Sequence, residues 1–293
     1  MSRPDSFALG LIVLSAAIHP LWNMLLKRSD EKVVFYFNIH LFFTIFFSFT
    51  LFVLPVASVT GRGWLMVLLS SVAHFFYQIY LCRTYELGDM SLTYPIIRSA
   101  PLFVVIMAAV FLKERLSPLA IAGIVIIVIG AQMINQQKIS LKQFFGAWRH
   151  ARPRVVAAAV LTAFFSALYS VIDKKGALII HPVLFFYLFF AVSGLMFGLY
   201  LLFAPGRKKN YIALTRANAH KIALAALLEF ASYVLILYAF RLTAVATVVA
   251  IRQISVVFGA MIGIFFLKEK YGKARLLASV VIFTGIYLLI ITK

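Results

Sequence analysis

Apolar residues run along this chain in long unbroken stretches, with neither the alternation of a strand nor the one-sided stripe of a soluble amphipathic helix. A bilayer core about 30 Å thick needs ~20 mostly apolar residues per helix. Ten runs of that kind, bounded by charge, Gly or Pro, are read at Phe7–Leu26, Val33–Val59, Trp64–Tyr85, Met90–Leu112, Pro118–Asn135, Val155–Ile172, Pro182–Phe203, Lys221–Phe240, Ala244–Leu267 and Ala274–Ile291. A barrel would alternate polar and apolar residues over shorter segments. The pattern therefore predicts an all-α membrane protein of ten transmembrane helices. The first run holds His19, Trp22 and Asn23, lacks a small-residue cleavage site and ends in Lys27-Arg28, so it reads as a span and not as a signal peptide. The longest connectors, Gln136–Arg154 and Ala204–His220, leave no room for a soluble domain, and residues 1–293 form one domain. Within the first connector, Phe144, Phe145 and Trp148 beside Arg149, Arg152 and Arg154 suit either an interfacial helix on anionic headgroups or a solvated link.

The halves resemble each other. Phe111-Leu112-Lys113-Glu114-Arg115 recurs as Phe266-Leu267-Lys268-Glu269-Lys270, and Gly130 and Gly285 follow at equal distances. Tyr80 and Tyr85 match Tyr233 and Tyr238 in spacing, Arg98 matches Arg252 with a one-residue slip, and Trp22-Asn23-x3-Lys27 resembles Tyr169-Ser170-x3-Lys174. These order the chain as repeat one (1–135), a basic connector (136–154) and repeat two (155–293). A five-span unit ends on the opposite side from its start, so its copy must insert upside down, which is the inverted-repeat construction of many secondary transporters.

Three of these features carry a resemblance over essentially the whole chain: the Trp22-Asn23-x3-Lys27 end of the first span, Tyr85-Glu86-Leu87 before the fourth, and Pro101 followed by the Lys113-Glu114-Arg115 closure. The sequence resembles the ten-helix EamA-type transporters of the drug/metabolite transporter superfamily. The resemblance implies export or uptake of a small metabolite, often coupled to protons or exchange, with a bacterial inner membrane as the setting. His19-Pro20-Leu21-Trp22-Asn23 departs from the commoner Trp-Gly form, which implies a subfamily with its own polar substrate.

Composition narrows the function further. Hydrophobic residues make up 63% and charged residues 13%, about half the charge of a soluble domain. The net charge of +19 would suggest nucleic acid in a soluble chain, but no polar surface remains for it, so the basic groups belong beside lipid and no nucleic-acid partner is expected. Loops after odd-numbered spans hold most of the Lys and Arg, which by the positive-inside rule puts both termini outside. The excess comes from the second half alone, and orientation stays open. Cys82 is the single cysteine, which permits no internal disulfide and no cysteine metal cage; no cofactor or metal is expected. Gly194-x3-Gly198 and Gly259-x3-Gly263 read as internal packing, and nothing decides between monomer and homodimer.

Ionisable groups at membrane depth are costly and so mark function. Arg98 and Arg252, with Gln253 beside the latter, read as a paired cationic site for an anionic group, because guanidinium matches carboxylate or phosphonate oxygens. The alternative is a structural Arg bonded to carbonyls freed by Pro95 or Pro101. Glu229 reads as the only acid far from the loops, able to carry a proton, meet a substrate ammonium or pair permanently with Arg252. His74, with Tyr77 and Gln78 on its helical neighbourhood, is the second candidate for proton coupling. His19, Trp22 and Asn23 share one helix face next to Pro20 and read as a cavity wall. Tyr77, Tyr169 and Tyr233 join the substrate-binding set, their hydroxyls needing a polar partner. Asp173 with Lys174 and Lys175 reads as a helix-end cluster. Together these predict a secondary transporter of a zwitterionic or anionic metabolite such as an amino acid or aminoalkylphosphonate. The alternatives are an intramembrane enzyme on a lipid-linked substrate, for which no nucleophile or acid–base pair is evident, and a multidrug or cation exporter. No ATP-binding loop is present.

Overall fold

The computed structural model describes residues 6–87, 93, 96–133, 152–203, 215, 218–259, 261 and 273–291. Among them are ten principal helices: α1 (Ser6–Arg28), α2 (Lys32–Phe46), α3 (Gly61–Leu87), α4 (Ala100–Leu112), α5 (Pro118–Met133), α6 (Pro153–Ile179), α7 (Pro182–Phe203), α8 (Ala219–Leu242), α9 (Val245–Gly259) and α10 (Lys273–Ile291). The described residues form no strand. By length and composition, α1, α3, α6, α7 and α8 can each cross a membrane; the other five are apolar but shorter. Proline begins α5, α6 and α7, where its missing N–H has no intrahelical acceptor to lose.

Three boundaries differ from the hydropathy reading. The second run is not one helix: α2 stops at Phe46, and a single turn at Thr50–Val53 and a 3-10 turn at Val56–Ser58 flank Pro55. The sixth helix runs on past Ile172 to Ile179. The spans around Arg98 and Arg252 are broken at those residues: a turn at 98–99 precedes α4, and α9 tightens to 3-10 over Arg252–Ile254. The motif at 266–270 and the interfacial candidates at 144–149 lie outside the described residues.

Burial carries the repeat. At the spacing that relates Glu114 to Glu269, the buried residues Val67, Ser70, Ser71, His74, Gln78, Leu81 and Cys82 of α3 fall on Ile222, Ala225, Ala226, Glu229, Tyr233, Ile236 and Leu237 of α8, all buried. At the Trp22-to-Tyr169 spacing, Ala8, Ile12, Ser15, Ala16 and Leu26 of α1 fall on Val155, Ala159, Thr162, Ala163 and Asp173 of α6, again all buried. This corrects the tyrosine match: the counterpart of Tyr233 is Gln78, because the Tyr80 register would turn the buried face of α8 outward.

Packing between halves has the same symmetry. α1 packs on α8 as α6 packs on α3, and α2, α4 and α5 each pack on their own counterparts α7, α9 and α10. The α2–α7 and α5–α10 pairings are antiparallel. In α5–α10, a Cβ at Gly130 would lie 2.7 Å from Ile282, and one at Gly285 2.7 Å from Ile127, so each glycine makes room for the other half's isoleucine. In α2–α7, His40 sits against Gly194, while Tyr36 meets Phe197 (5.9 Å) and Phe43 meets Phe190 (5.2 Å). An exchange of halves with reversal of direction therefore maps the contacts onto themselves.

Candidate functional site

Helix breaks supply the site. A continuous helix consumes its own backbone groups and presents side chains only at fixed steps, whereas interrupted helices can turn polar side chains towards a cavity. Around the breaks of the fourth and ninth segments lies a cavity of about 70 Å³, lined by His19, Asn23, Tyr77, Tyr85, Arg98, Ser166, Tyr169, Ser170, Phe240, Arg252, Gln253 and Ser255, with Leu81, Ile97, Ala100 and Val249. At ~10–15 Å³ per water, that is room for roughly five to seven waters.

Seven residues of the expected substrate-binding set meet there: Arg98, Arg252, His19, Asn23, Tyr77, Tyr169 and Gln253. Arg98 Nη1 donates to Gln253 Oε1 and Ser255 Oγ, both at 3.2 Å. Arg252 Nη2 donates to His19 Nδ1 at 3.0 Å, its guanidinium lies 5.5 Å from the centroid of the Tyr233 ring, and its Nε, although buried, has no partner. Tyr77 and Tyr169 meet edge to face at 5.1 Å and form an aromatic wall.

Two expected residues stand behind the lining. Trp22 is buried between His19 (5.2 Å) and Tyr36 (6.0 Å), a packing aromatic and not a cavity wall. Tyr233 holds Arg252 from below while its hydroxyl donates to Asp173.

The acids required the largest correction. Asp173 is no helix-end anchor: α6 continues six residues beyond it, and the side chain is 0% exposed. It accepts from Ser70 Oγ (2.5 Å), His74 Nε2 (2.9 Å) and the Tyr233 hydroxyl. Glu229 is thus not the sole deep acid, and it makes no ion pair with Arg252. Its Oε1 accepts from the Tyr36 hydroxyl at 2.5 Å, and Oε2 has no partner. His74 is stacked between Tyr169 (4.0 Å) and Phe189 (4.5 Å), with its Nε2 on Asp173 Oδ2. Neither Glu229 nor His74 lines the cavity.

Sequence reasoning also passed over Lys174 and Glu114. Lys174 Nζ donates to Phe240 O and to Thr243 O (2.8 Å), holding the end of α8. Lys113 takes a left-handed conformation (φ 54°) that closes α4 and brings Glu114 Oε1 to Val245 N (3.1 Å), at the start of α9. A carboxylate at a helix N-terminus satisfies a free N–H and complements the dipole. The repeated Lys-Glu pair thus has a structural role in the first half, where it clamps the α8–α9 turn beside Phe240, which lines the cavity. The signal for Asp173 was present, since it lies four residues after Tyr169 and hence on the same helix face.

A bundle of apolar helices built from two antiparallel-packed repeats around a buried polar cavity is the architecture of an integral membrane transporter. The chain belongs to the EamA-like transporter family, whose sequence profile matches it twice, over residues 6–136 and 153–291. It is accordingly a membrane transporter of the drug/metabolite transporter superfamily. A solved structure described as "Crystal structure of protein" is similar, with a TM-score of 0.71 and 15% identity over 98% of this chain and 96% of the other; at that identity the likeness concerns the fold alone. No curated protein matches the sequence.

Proposed function

We propose that the chain is a secondary active transporter that moves a small anionic or zwitterionic metabolite, of amino-acid or aminoalkylphosphonate type, across a bacterial inner membrane by alternating access. Ten spans, arranged as two inverted five-helix repeats, enclose the site. The observation that carries this reading is the pair Arg98 and Arg252, one from each half, both at helix breaks and both lining one buried cavity. Charge-assisted bonds from guanidinium select carboxylate or phosphonate oxygens. Because Glu229 stands apart from the cavity, a substrate ammonium is met by the Tyr77–Tyr169 wall through cation–π attraction.

Glu229 is the stronger candidate for proton coupling, since its unpartnered Oε2 can take up a proton without breaking an existing bond; Tyr36 from α2 and Arg252 from α9 are the groups that act on it. His74 is instead held by Asp173 through its Nε2.

The test is uptake of radiolabelled glycine, alanine and 2-aminoethylphosphonate into vesicles containing the purified protein, with and without an imposed pH gradient. Saturable uptake of at least one compound is expected, lost in the Arg98→Ala/Arg252→Ala double variant. Glu229→Gln is expected to abolish the response to the gradient while leaving exchange. Saturable flux unchanged in the double variant would remove the arginine site.

A further inference from the structure

Hydrogen-bond direction around His19 separates the two arginines. A guanidinium has donors only, so His19 Nδ1, 3.0 Å from Arg252 Nη2, must be an acceptor. The ring is then the neutral tautomer with its proton on Nε2, and Nε2 donates. The atom 2.9 Å from Nε2 belongs to the Asn23 amide, and it has to be the amide oxygen, because two N–H groups cannot face each other. With the oxygen turned to His19, the amide nitrogen occupies the position of the buried terminal atom that has no protein partner. Asn23 thus keeps its acceptor for His19 and carries N–H donors that no protein group meets.

Arg252 and Asn23 both line the cavity, and each holds a buried donor without a protein partner, Arg252 Nε–H and the Asn23 amide N–H. A buried donor left unmatched is destabilising, and a negatively charged ligand oxygen is the group that would satisfy it. Arg98 is placed differently. Its Nη1 bonds Gln253, in the middle of the 3-10 turn of α9, and Ser255, which closes that turn. In the register that relates Glu114 to Glu269, Gln253 is the counterpart of Arg98, and Arg252 stands one place out of that register. The strict repeat therefore supplies a cross-half strut, and the slip frees Arg252 for the cavity.

We propose that Arg252 and Asn23, oriented through His19, form a donor-only subsite for the anionic oxygens of the substrate, and that Arg98 positions the α9 break that presents Arg252. This deepens the transport reading and rests on it. It reverses the equivalence of the two arginines, since one binds and the other braces.

The experiment uses the full chain in detergent micelles, with ethylphosphonate, acetate and ethylammonium chloride as probes in calorimetric titration and thermal-shift measurements. Ethylphosphonate or acetate is expected to bind and stabilise wild type, and whichever binds tighter identifies the oxygen group. Asn23→Asp retains an acceptor for His19 Nε2–H, so unliganded stability should hold. Anion affinity should fall by roughly tenfold to a hundredfold, the equivalent of one charge-assisted bond. Arg252→Lys should fall as far, and Arg98→Lys less. Should Asn23→Asp fail to fold, Asn23→Leu removes the donors without adding charge and is expected to lower anion affinity in the same way. The proposal is overturned if Asn23→Asp leaves anion affinity unchanged or gains ethylammonium binding, which would mean that the amide presents its oxygen. It is also overturned if neither anion binds wild type at tens of millimolar. Vesicle flux tests transport independently, so the subsite can fail while the transporter reading stands.

Discussion

His74 and Glu229 occupy equivalent places in the two halves, on α3 and α8, yet they live in opposite surroundings. Across from His74, α6 supplies Asp173, and Ser70 and Tyr233 complete three bonds to that carboxylate. Across from Glu229, the position of α1 equivalent to Asp173 is Leu26, fully buried and apolar. Glu229 turns instead to Tyr36 of α2, whose own counterpart across α2–α7 is Phe190 in the register that pairs Tyr36 with Phe197 and Phe43 with Phe190. One scaffold therefore carries a saturated cluster around Asp173, where α3 meets α6, and a half-satisfied acid at the equivalent place on α8. Symmetry fixes where a polar group can stand, and the partner residues decide whether it is locked or available. The saturated cluster braces Tyr169 and Tyr233 beside the cavity, while Glu229 keeps an oxygen without a partner.

The largest effect should come from giving position 173 of α6 the residue that its counterpart on α1, Leu26, carries. Asp173→Leu leaves His74, Ser70 and Tyr233 without their acceptor in a buried site. Losing one partner of a buried pair costs about 3–5 kcal/mol, and denaturation in mixed micelles should register a loss of that size. Glu229→Leu removes only one bond together with an unsatisfied oxygen, and should cost about 1–3 kcal/mol. Equal losses from the two substitutions would erase the distinction between locked and available acids.

The all-helical architecture and its two repeats were legible in the sequence because apolar length and the Lys-Glu recurrence survive without any knowledge of packing. Seven of the nine expected substrate-binding residues line one cavity for the same reason: a polar side chain deep in an apolar run has few places to go. Asp173 was not legible, because the adjacent Lys174 and Lys175 look like a membrane boundary. Only the structure reveals that Lys174 turns inward to cap α8. The α3–α8 register was missed because tyrosines were matched by type, whereas what repeats is burial. The partition of Arg98 from Arg252 was equally hidden, since it depends on which side chains meet across halves.

A smaller effect sharpens the symmetry itself. Gly130→Ala would press a Cβ to 2.9 Å from the Ile282 backbone nitrogen, and Gly285→Ala to 2.6 Å from the Gly123 carbonyl oxygen. Backbone cannot yield as a side-chain tip does, so each should cost about 1–3 kcal/mol. If the two-fold relation holds, the losses match within ~0.5 kcal/mol; a loss at one glycine alone would show that the halves pack differently at α5–α10.

The smallest effect isolates the hydroxyls. Tyr36→Phe removes the one donor that Glu229 Oε1 has, so the acid is left with neither oxygen bonded and the cost falls at about 1–3 kcal/mol. Tyr233→Phe removes one donor of three from Asp173, and Ser70 and His74 remain in place, so the cost should stay near ~0.5–1.5 kcal/mol. The phenyl ring still lies beneath Arg252, which preserves the cation–π contact. Thermal unfolding of both variants in the same detergent, with ethylphosphonate titration alongside, gives the ordering. Tyr36→Phe is expected to be the less stable of the two, and Tyr233→Phe to keep its anion affinity within about threefold of wild type, ~0.7 kcal/mol. A Tyr233→Phe loss larger than that of Tyr36→Phe would mean that the Asp173 cluster acts as a single cooperative network, in which no donor is dispensable, and the site that looks saturated would be the more fragile one.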